Sequence, residues 1–217
     1  MLSTSQRELL QQALRGGALR FGDFTLKSGR QSPYFFNAGA FNDGQALAVL
    51  AAAYVEKILG LPGPVEALFG PAYKGIPLVA AVATELYRRT GQSLPWAFNR
   101  KEAKDHGEGG WLVGAELRGR RVLILDDVLT AGTAIRQSLA LLRDQGATPT
   151  AVLVILDRQE ALNERATALT LLAEEEALHC EALLTLDDLL SFSGDDETLR
   201  ANLPRLQAYR QRYALQK

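Results

Sequence analysis

Two adjacent carboxylates, Asp126 and Asp127, stand just ahead of the small-residue turn Thr130-Ala131-Gly132-Thr133. An apolar run, Val122 to Leu125, precedes the acids and reads as a buried strand. After the turn, from Ala134, the residues Ile135, Leu139 and Leu142 recur at helical spacing. Strand, tight turn and helix start in that order aim backbone N–H groups and the positive end of a helix dipole at one point, which suits a phosphate. Gly132 permits close approach of a ligand to the backbone, and the threonine hydroxyls add donors. The acidic pair would repel a second phosphate, so its partner is a neutral, hydroxyl-rich group or a metal. A ribose 5-phosphate satisfies both halves. A strand ending in acids also occurs beside the P-loop of ATPases, but that reading needs G-x-x-x-x-G-K-[ST] upstream. The nearest stretch, Gly70-Pro-Ala-Tyr-Lys-Gly75, continues into Ile76-Pro77 and does not fit.

Two more clusters carry charge at comparable places. Gly70 to Gly75 links a predicted strand to a predicted helix, and Tyr73 and Lys74 sit inside it. Such a loop is a second anion site, with Lys74 as a point charge, although residue types alone also allow a plain turn with a surface lysine. The segment 99–110, Asn-Arg-Lys-Glu-Ala-Lys-Asp-His-Gly-Glu-Gly-Gly, has almost nothing apolar to bury. It reads either as a solvated hairpin tip or as a mobile cationic lid that closes over a polyphosphate.

These clusters need a rigid frame, and the rest of the chain supplies its outline. Helices are expected over 5–15, Gln45–Leu59, Ile76–Arg89 and 134–145, with strands over Val65–Phe69, Leu94–Phe98, Trp111–Val113, Arg121–Leu125 and Ala151–Leu156. That alternation points to an open parallel sheet flanked by helices, with residues 18–38 as short strands outside it. Ligands in such sheets sit at the carboxyl ends of strands, where 66–75, 98–110, 126–134 and 157–158 all fall. Beyond Gln159 the expectation is a helix over 164–178, a strand over Cys180–Leu186, and a polar helix from Asp195 packed on the outside.

The 217 residues, 47% hydrophobic and 23% charged, correspond to one domain. A net charge of −1 gives no field for a nucleic-acid backbone. The single Cys180 cannot form an internal disulfide, His106 and His179 are too few for a histidine zinc site, and the longest apolar run, Ala46 to Val55, is too short to span a bilayer. The start, Met-Leu-Ser-Thr-Ser-Gln-Arg-Glu, lacks a signal-peptide core, so the expected location is the cytoplasm, with no membrane partner.

The run from Val122 to Ala134 resembles the phosphoribosyl pyrophosphate (PRPP) signature of type I phosphoribosyltransferases. The order Arg-Lys-x-x-Lys-x-His-Gly beginning at Arg100 is similar to the catalytic loop of the orotate phosphoribosyltransferases. The segment Phe24 to Gly39 resembles the amino-terminal motif of the same enzymes. The resemblance covers residues 5 to about 160. It implies the type I phosphoribosyltransferase fold as a single domain, with hood elements over about 1–40. It also implies transfer of ribose 5-phosphate from PRPP to orotate in pyrimidine (UMP) biosynthesis. Asp126 and Asp127 would bind the ribose hydroxyls, and Thr130, Ala131, Gly132, Thr133 and Ala134 the 5′-phosphate, with Val128 and Leu129 completing the PRPP stretch. Tyr73, Lys74 and Arg100 would face pyrophosphate, and Lys27 the reactants. Lys101, Lys104 and His106 would serve a site shared across a homodimer, with Lys104 and Asp127 as the catalytic pair. Phe35, Phe36 and Thr130 would hold the base, and Arg158 would grip the orotate carboxylate in bidentate fashion. Mg2+ would arrive on PRPP, with no direct protein ligand. Residues 161–217 would add nothing to the site. The rivals are a purine phosphoribosyltransferase, which Arg158 and the Phe35-Phe36 pair disfavour, and a non-catalytic regulator on the same scaffold, which the intact Lys101, Lys104 and His106 disfavour.

Overall fold

The computed structural model describes residues 2–26, 28–104, 110–129, 132–163 and 165–215, with backbone alone at 101, 103, 104 and 110. Helix α1 (Thr4–Arg15) leads into the hairpin β1 (Leu19–Thr25) and β2 (Gln31–Phe36), the hood of the molecule. Then come α2 (Gly44–Leu59), β3 (Ala67–Gly70), α3 (Gly75–Thr90), β4 (Trp96–Lys104), β5 (Gly110–Gly114), β6 (Arg121–Val128), α4 (Thr133–Asp144) and β7 (Thr148–Asp157). The chain closes with α5 (Ala168–Glu176), β8 (His179–Thr185), α6 (Leu186–Phe192) and α7 (Glu197–Tyr213).

The six-stranded sheet has the order β5-β4-β3-β6-β7-β8. Its neighbours are parallel except β5, which runs antiparallel to β4. The open parallel sheet expected from the sequence is present, with β5 as an antiparallel edge strand. Only residues 105–109 separate β4 from β5, far too few for the crossover that a parallel pair requires. The loop expected over 99–110 is corrected. β4 continues through Asn99 to Lys104, and Lys104 pairs with Gly110. Pairing with β5 satisfies backbone groups that the polar composition had left to water.

Successive strand residues face opposite ways, and the central strands are apolar on both faces. Leu123, Leu125, Leu153 and Ile155 join α1, α2, α3, α6, α7 and the hood in one core. Val122, Ile124, Val152 and Val154 pack with α4 and α5 on the other side. All eight are at most 1% exposed, and burying each contributes about 1.5–3 kcal/mol. This two-sided core fixes the register, and therefore the height at which each strand delivers its polar end.

The sequence reading missed α6, seven residues whose start is held by a capping box between Thr185 and Asp188. The expected outer tail helix is present as α7, but its Leu199, Leu206 and Tyr209 are buried. No helix among the described residues is long and apolar enough to cross a membrane.

Candidate active site

Strand register gathers the predicted loops. Phe69 of β3 lies beside Ala97 of β4 and Ile124 of β6, and Val128 of β6 beside Leu156 of β7. Gly70–Gly75, the stretch of β4 from Asn99, Asp126–Leu129 and Arg158 therefore all lie toward the same carboxyl edge, as expected of a parallel sheet.

The acidic pair stays inside β6. The Asp127 N–H donates to Asp126 Oδ1 at 2.9 Å, and the Val128 N–H to Asp127 Oδ1 at 2.8 Å. The buried Tyr54 hydroxyl of α2 donates to the Asp126 carbonyl at 2.7 Å and pins the strand end from below. Burial, and after it the charge of Asp127, pushes the Asp126 carboxyl up to about 6, despite the Asp127 N–H and Lys74. Gly132, at φ +75°, is the N-cap of α4, in the left-handed region where glycine is favoured. Leu129 is buried, whereas Thr133 and Ala134 are exposed at the helix start. Thr130 and Ala131 lie outside the described residues.

The second loop is tighter than its sequence implied. A Cβ on Gly70 would lie 2.1 Å from the Gly75 carbonyl oxygen, and one on Gly75 would lie 2.6 Å from the Gly70 carbonyl carbon. Neither contact can be relieved by a side chain, so both glycines are needed where the loop crosses itself. The Gly75 N–H donates to the Pro71 carbonyl at 2.9 Å, and the Ala72–Tyr73 peptide is cis. Asn99 Oδ1 accepts from the Ala72 N–H at 2.8 Å. Sequence reasoning missed Asn99 in this role, as it missed Tyr54. A polar residue directly after the apolar end of β4 was the available signal for Asn99, and a lone tyrosine in the alanine-rich α2 was the signal for Tyr54.

Helix capping separates this edge from the rest of the molecule. Ser3, Asp43, Thr167, Thr185 and Asp196 cap α1, α2, α5, α6 and α7 through their side chains. The helices α3 and α4 have no side-chain cap among the described residues, and both begin at this edge. At α3 the Gly75 and Ile76 N–H groups already donate to the Pro71 and Tyr73 carbonyls and Pro77 has none, so it is the start of α4 that offers N–H groups to an anion.

The two loops meet. Lys74 Nζ lies 2.5 Å from Asp127 Oδ2, across 53 residues of sequence. Lys74 is exposed, and such a pair is worth at most about 1 kcal/mol, so an entering polyphosphate can take the lysine from the acid. Beside the pair lies a cleft of ≈ 510 Å³, bordered by Ala38, Gly39, Pro77, Leu78 and Ile155. A smaller cavity of ≈ 230 Å³ between α1, α2 and β8 holds none of the predicted site residues.

The residues expected on the base side stand as follows in the fold. Phe35 is 36% exposed, with Phe24 at 5.5 Å and the Arg20 guanidinium at 5.7 Å from its ring. Phe36 instead packs against Phe41 at 6.3 Å and the core, so the two rings do not make one platform. Arg158 is only 9% exposed. Its Nε donates to Glu160 Oε1 at 2.5 Å, and its Nη2 to Ser32 Oγ at 2.7 Å and Tyr209 Oη at 2.9 Å. Its guanidinium carbon sits 4.0 Å from the Tyr34 ring centre. Those bonds use three of the five guanidinium donors and leave the pair on Nη1. Nη1 is thus the guanidinium nitrogen for which no acceptor is seen among the described residues. Burial alone would raise the Glu160 carboxyl, but the Tyr209 hydroxyl, Arg158 and Arg30 hold it below its ordinary value. Residues 161–217 reach this group through Tyr209 of α7. Arg100 is half-buried midway along β4, and Tyr73 is 66% exposed in its loop. Lys101 and Lys104 are placed by backbone only, while Lys27 and His106 lie outside the described residues.

A family model for the phosphoribosyl transferase domain matches residues 37–179. An orotate phosphoribosyltransferase of Stenotrophomonas maltophilia is 51% identical over 216 residues, spanning 99% of this chain and 98% of that one. The chain belongs to the orotate phosphoribosyltransferase family. A second member, from Dichelobacter nodosus, is 50% identical over 218 residues, covering 99% of this chain and 98% of its own length. Among solved structures, the orotate phosphoribosyltransferase of Francisella tularensis has a TM-score of 0.83 at 40% identity, over 95% of this chain and 99% of that one. Family membership and the open sheet with its hood agree with the sequence reading.

Proposed function

We propose that this chain transfers ribose 5-phosphate from PRPP to orotate, giving orotidine 5′-monophosphate and pyrophosphate, as a step of pyrimidine biosynthesis. The observation that carries the reading is the Lys74–Asp127 contact, which joins a diphosphate-type loop to a ribose-type acidic pair. The uncapped start of α4 receives the 5′-phosphate, Asp126 and Asp127 accept from the ribose hydroxyls, and Lys74 turns to the diphosphate. Orotate N1 attacks C1′ as the bond to pyrophosphate breaks, inverting that carbon. Positive charge grows on the sugar ring and negative charge on the leaving group, so the protein orients and stabilises charge rather than forming a covalent bond. Asp127 faces the ring, and Lys74, Arg100, Lys101 and Lys104 serve the leaving group.

The described residues hold no cluster of three or more His, Cys, Asp or Glu suited to a metal. A Mg2+ carried in on PRPP would take its ligands from the diphosphate, the ribose hydroxyls and water, beside Asp126 and Asp127 and with no direct protein ligand. When bound there, the ion would neutralise charge on the leaving group. We further propose a homodimer in which Lys101, Lys104 and His106 complete the partner's site, and a cytoplasmic location, in keeping with one unpaired cysteine.

The reading is tested by incubating the protein with PRPP, magnesium and one base at a time. Orotate alone should release pyrophosphate. Turnover of adenine or hypoxanthine instead, or of no base, would reject it. The shared site is tested by mixing an inactive Lys104→Ala chain with an inactive Asp127→Asn chain. Heterodimers should recover activity, since one of their two sites is intact; subunit exchange with no recovery would reject sharing.

A further inference from the structure

We propose that Tyr209, on the carboxyl-terminal helix α7, is a positioning residue for Arg158 and so sets the enzyme's grip on orotate. The proposal rests on the reading that Arg158 holds the orotate carboxylate. Three distant segments converge on this guanidinium: Ser32 and Tyr34 from β2, Glu160 just beyond β7, and Tyr209 from α7. Tyr34 fixes the plane of the group from one face. Ser32, Glu160 and Tyr209 fix its rotation within that plane, because each takes a different N–H.

Tyr209 is the member that binds two others at once. Its oxygen accepts from Arg158 Nη2, and its hydroxyl donates to Glu160 Oε1, the oxygen that also accepts from Arg158 Nε. The Glu160 Oε2 atom accepts from Arg30 Nη1 at 2.8 Å, so the acid is held from both sides. The end of α7 is itself tied to this segment. The Ala161 N–H donates to the Tyr213 carbonyl at 2.8 Å, and Glu160 bridges to Ala214. Arg30 also lies 5.3 Å from the Tyr213 ring centre. Without the Tyr209 hydroxyl, one buried N–H of Arg158 loses its acceptor and Glu160 loses a neutral donor. The guanidinium is then free to turn toward Glu160 and carry Nη1 off its aim. A hydrogen bond to a charged group of this kind corresponds to about a 10-fold change in affinity.

The test compares Tyr209→Phe, Arg158→Gln and the double variant, varying orotate at saturating PRPP and PRPP at saturating orotate. Tyr209→Phe should raise the KM for orotate about 5- to 10-fold and leave kcat and the KM for PRPP within about twofold. Arg158→Gln should raise it further, and the double variant should be no worse than Arg158→Gln alone. If Arg158→Gln raises the KM for orotate and Tyr209→Phe does not, the positioning role is wrong while the Arg158 reading stands. If Arg158→Gln leaves it unchanged, that reading fails and the proposal with it. Equal losses in both KM values and kcat for Tyr209→Phe, with a lowered Tm, would make the tyrosine merely structural and overturn the proposal.

Discussion

Replacing Asp126 by Asn should stabilise the free protein while damaging its chemistry. The Asp126 carboxyl, ordinarily near 3.8, stands at about 6 in the fold, chiefly through burial and then through the neighbouring Asp127 charge. The folded acid holds its proton more tightly than the unfolded one, so folding takes up protons between those two values. The penalty is absent below about pH 4, grows as pH rises through the window, and is complete above about pH 6. At about 1.4 kcal/mol for each pH unit, the interval from 3.8 to about 6 sets an upper bound near 3 kcal/mol. Solvent access to the half-buried carboxyl reduces the expected cost to about 1–2 kcal/mol. The Asn oxygen can still accept from the Asp127 N–H, so the backbone arrangement survives. Urea unfolding at fixed protein concentration should therefore show the variant about 1–2 kcal/mol more stable at pH 7.5, with the gain gone at pH 4. Its kcat/KM for PRPP at pH 7.5 should fall about 10- to 100-fold, the worth of a charged acceptor on a hydroxyl. A variant that is less stable at pH 7.5, or whose gain does not depend on pH, would refute the reasoning.

Two further substitutions probe the frame around the site. Gly75→Ala places a Cβ against the Gly70 backbone, so it should cost about 3 kcal/mol or more, or abolish PRPP binding where the chain still folds. Thermal unfolding and equilibrium PRPP binding would check it, and a variant matching the parent in both would show that the loop can open. Tyr34→Phe removes a buried hydroxyl that has no partner among the described residues, while keeping the ring beneath Arg158. It should leave stability unchanged or raised by up to about 1 kcal/mol, with the KM for orotate within about twofold; a loss above 1 kcal/mol in urea unfolding would contradict it.

What was legible in the sequence is what local pattern controls. The apolar run Val122–Leu125, the acids after it and Gly132 stand where a strand, its end and a helix start should be. The glycines at 70 and 75 mark a turn in any reading, although only the fold shows that their backbones nearly touch. What escaped depends on contacts between remote residues. Tyr209 looks like any tyrosine on a polar helix, Asn99 like the first residue of a loop, and Arg158 like a free fork. No periodicity reports that a carboxylate 2.5 Å away has already taken one of its prongs. The extension of β4 to Lys104 escaped for a related reason, since its stabilising partner is the edge strand β5 and not its own composition.

The central claim is that the Gly70–Gly75 loop and the acidic pair are two ends of one binding site, and calorimetry with the two halves of the substrate tests it most directly. Pyrophosphate and ribose 5-phosphate, each with magnesium, would be titrated separately into the parent, Lys74→Ala and Asp127→Asn proteins. Lys74→Ala should weaken pyrophosphate about 10-fold or more and leave ribose 5-phosphate nearly unchanged. Asp127→Asn should weaken ribose 5-phosphate and bind pyrophosphate at least as tightly as the parent, because its lysine is released. Loss of both ligands alike in each variant, or of neither in both, would contradict the account.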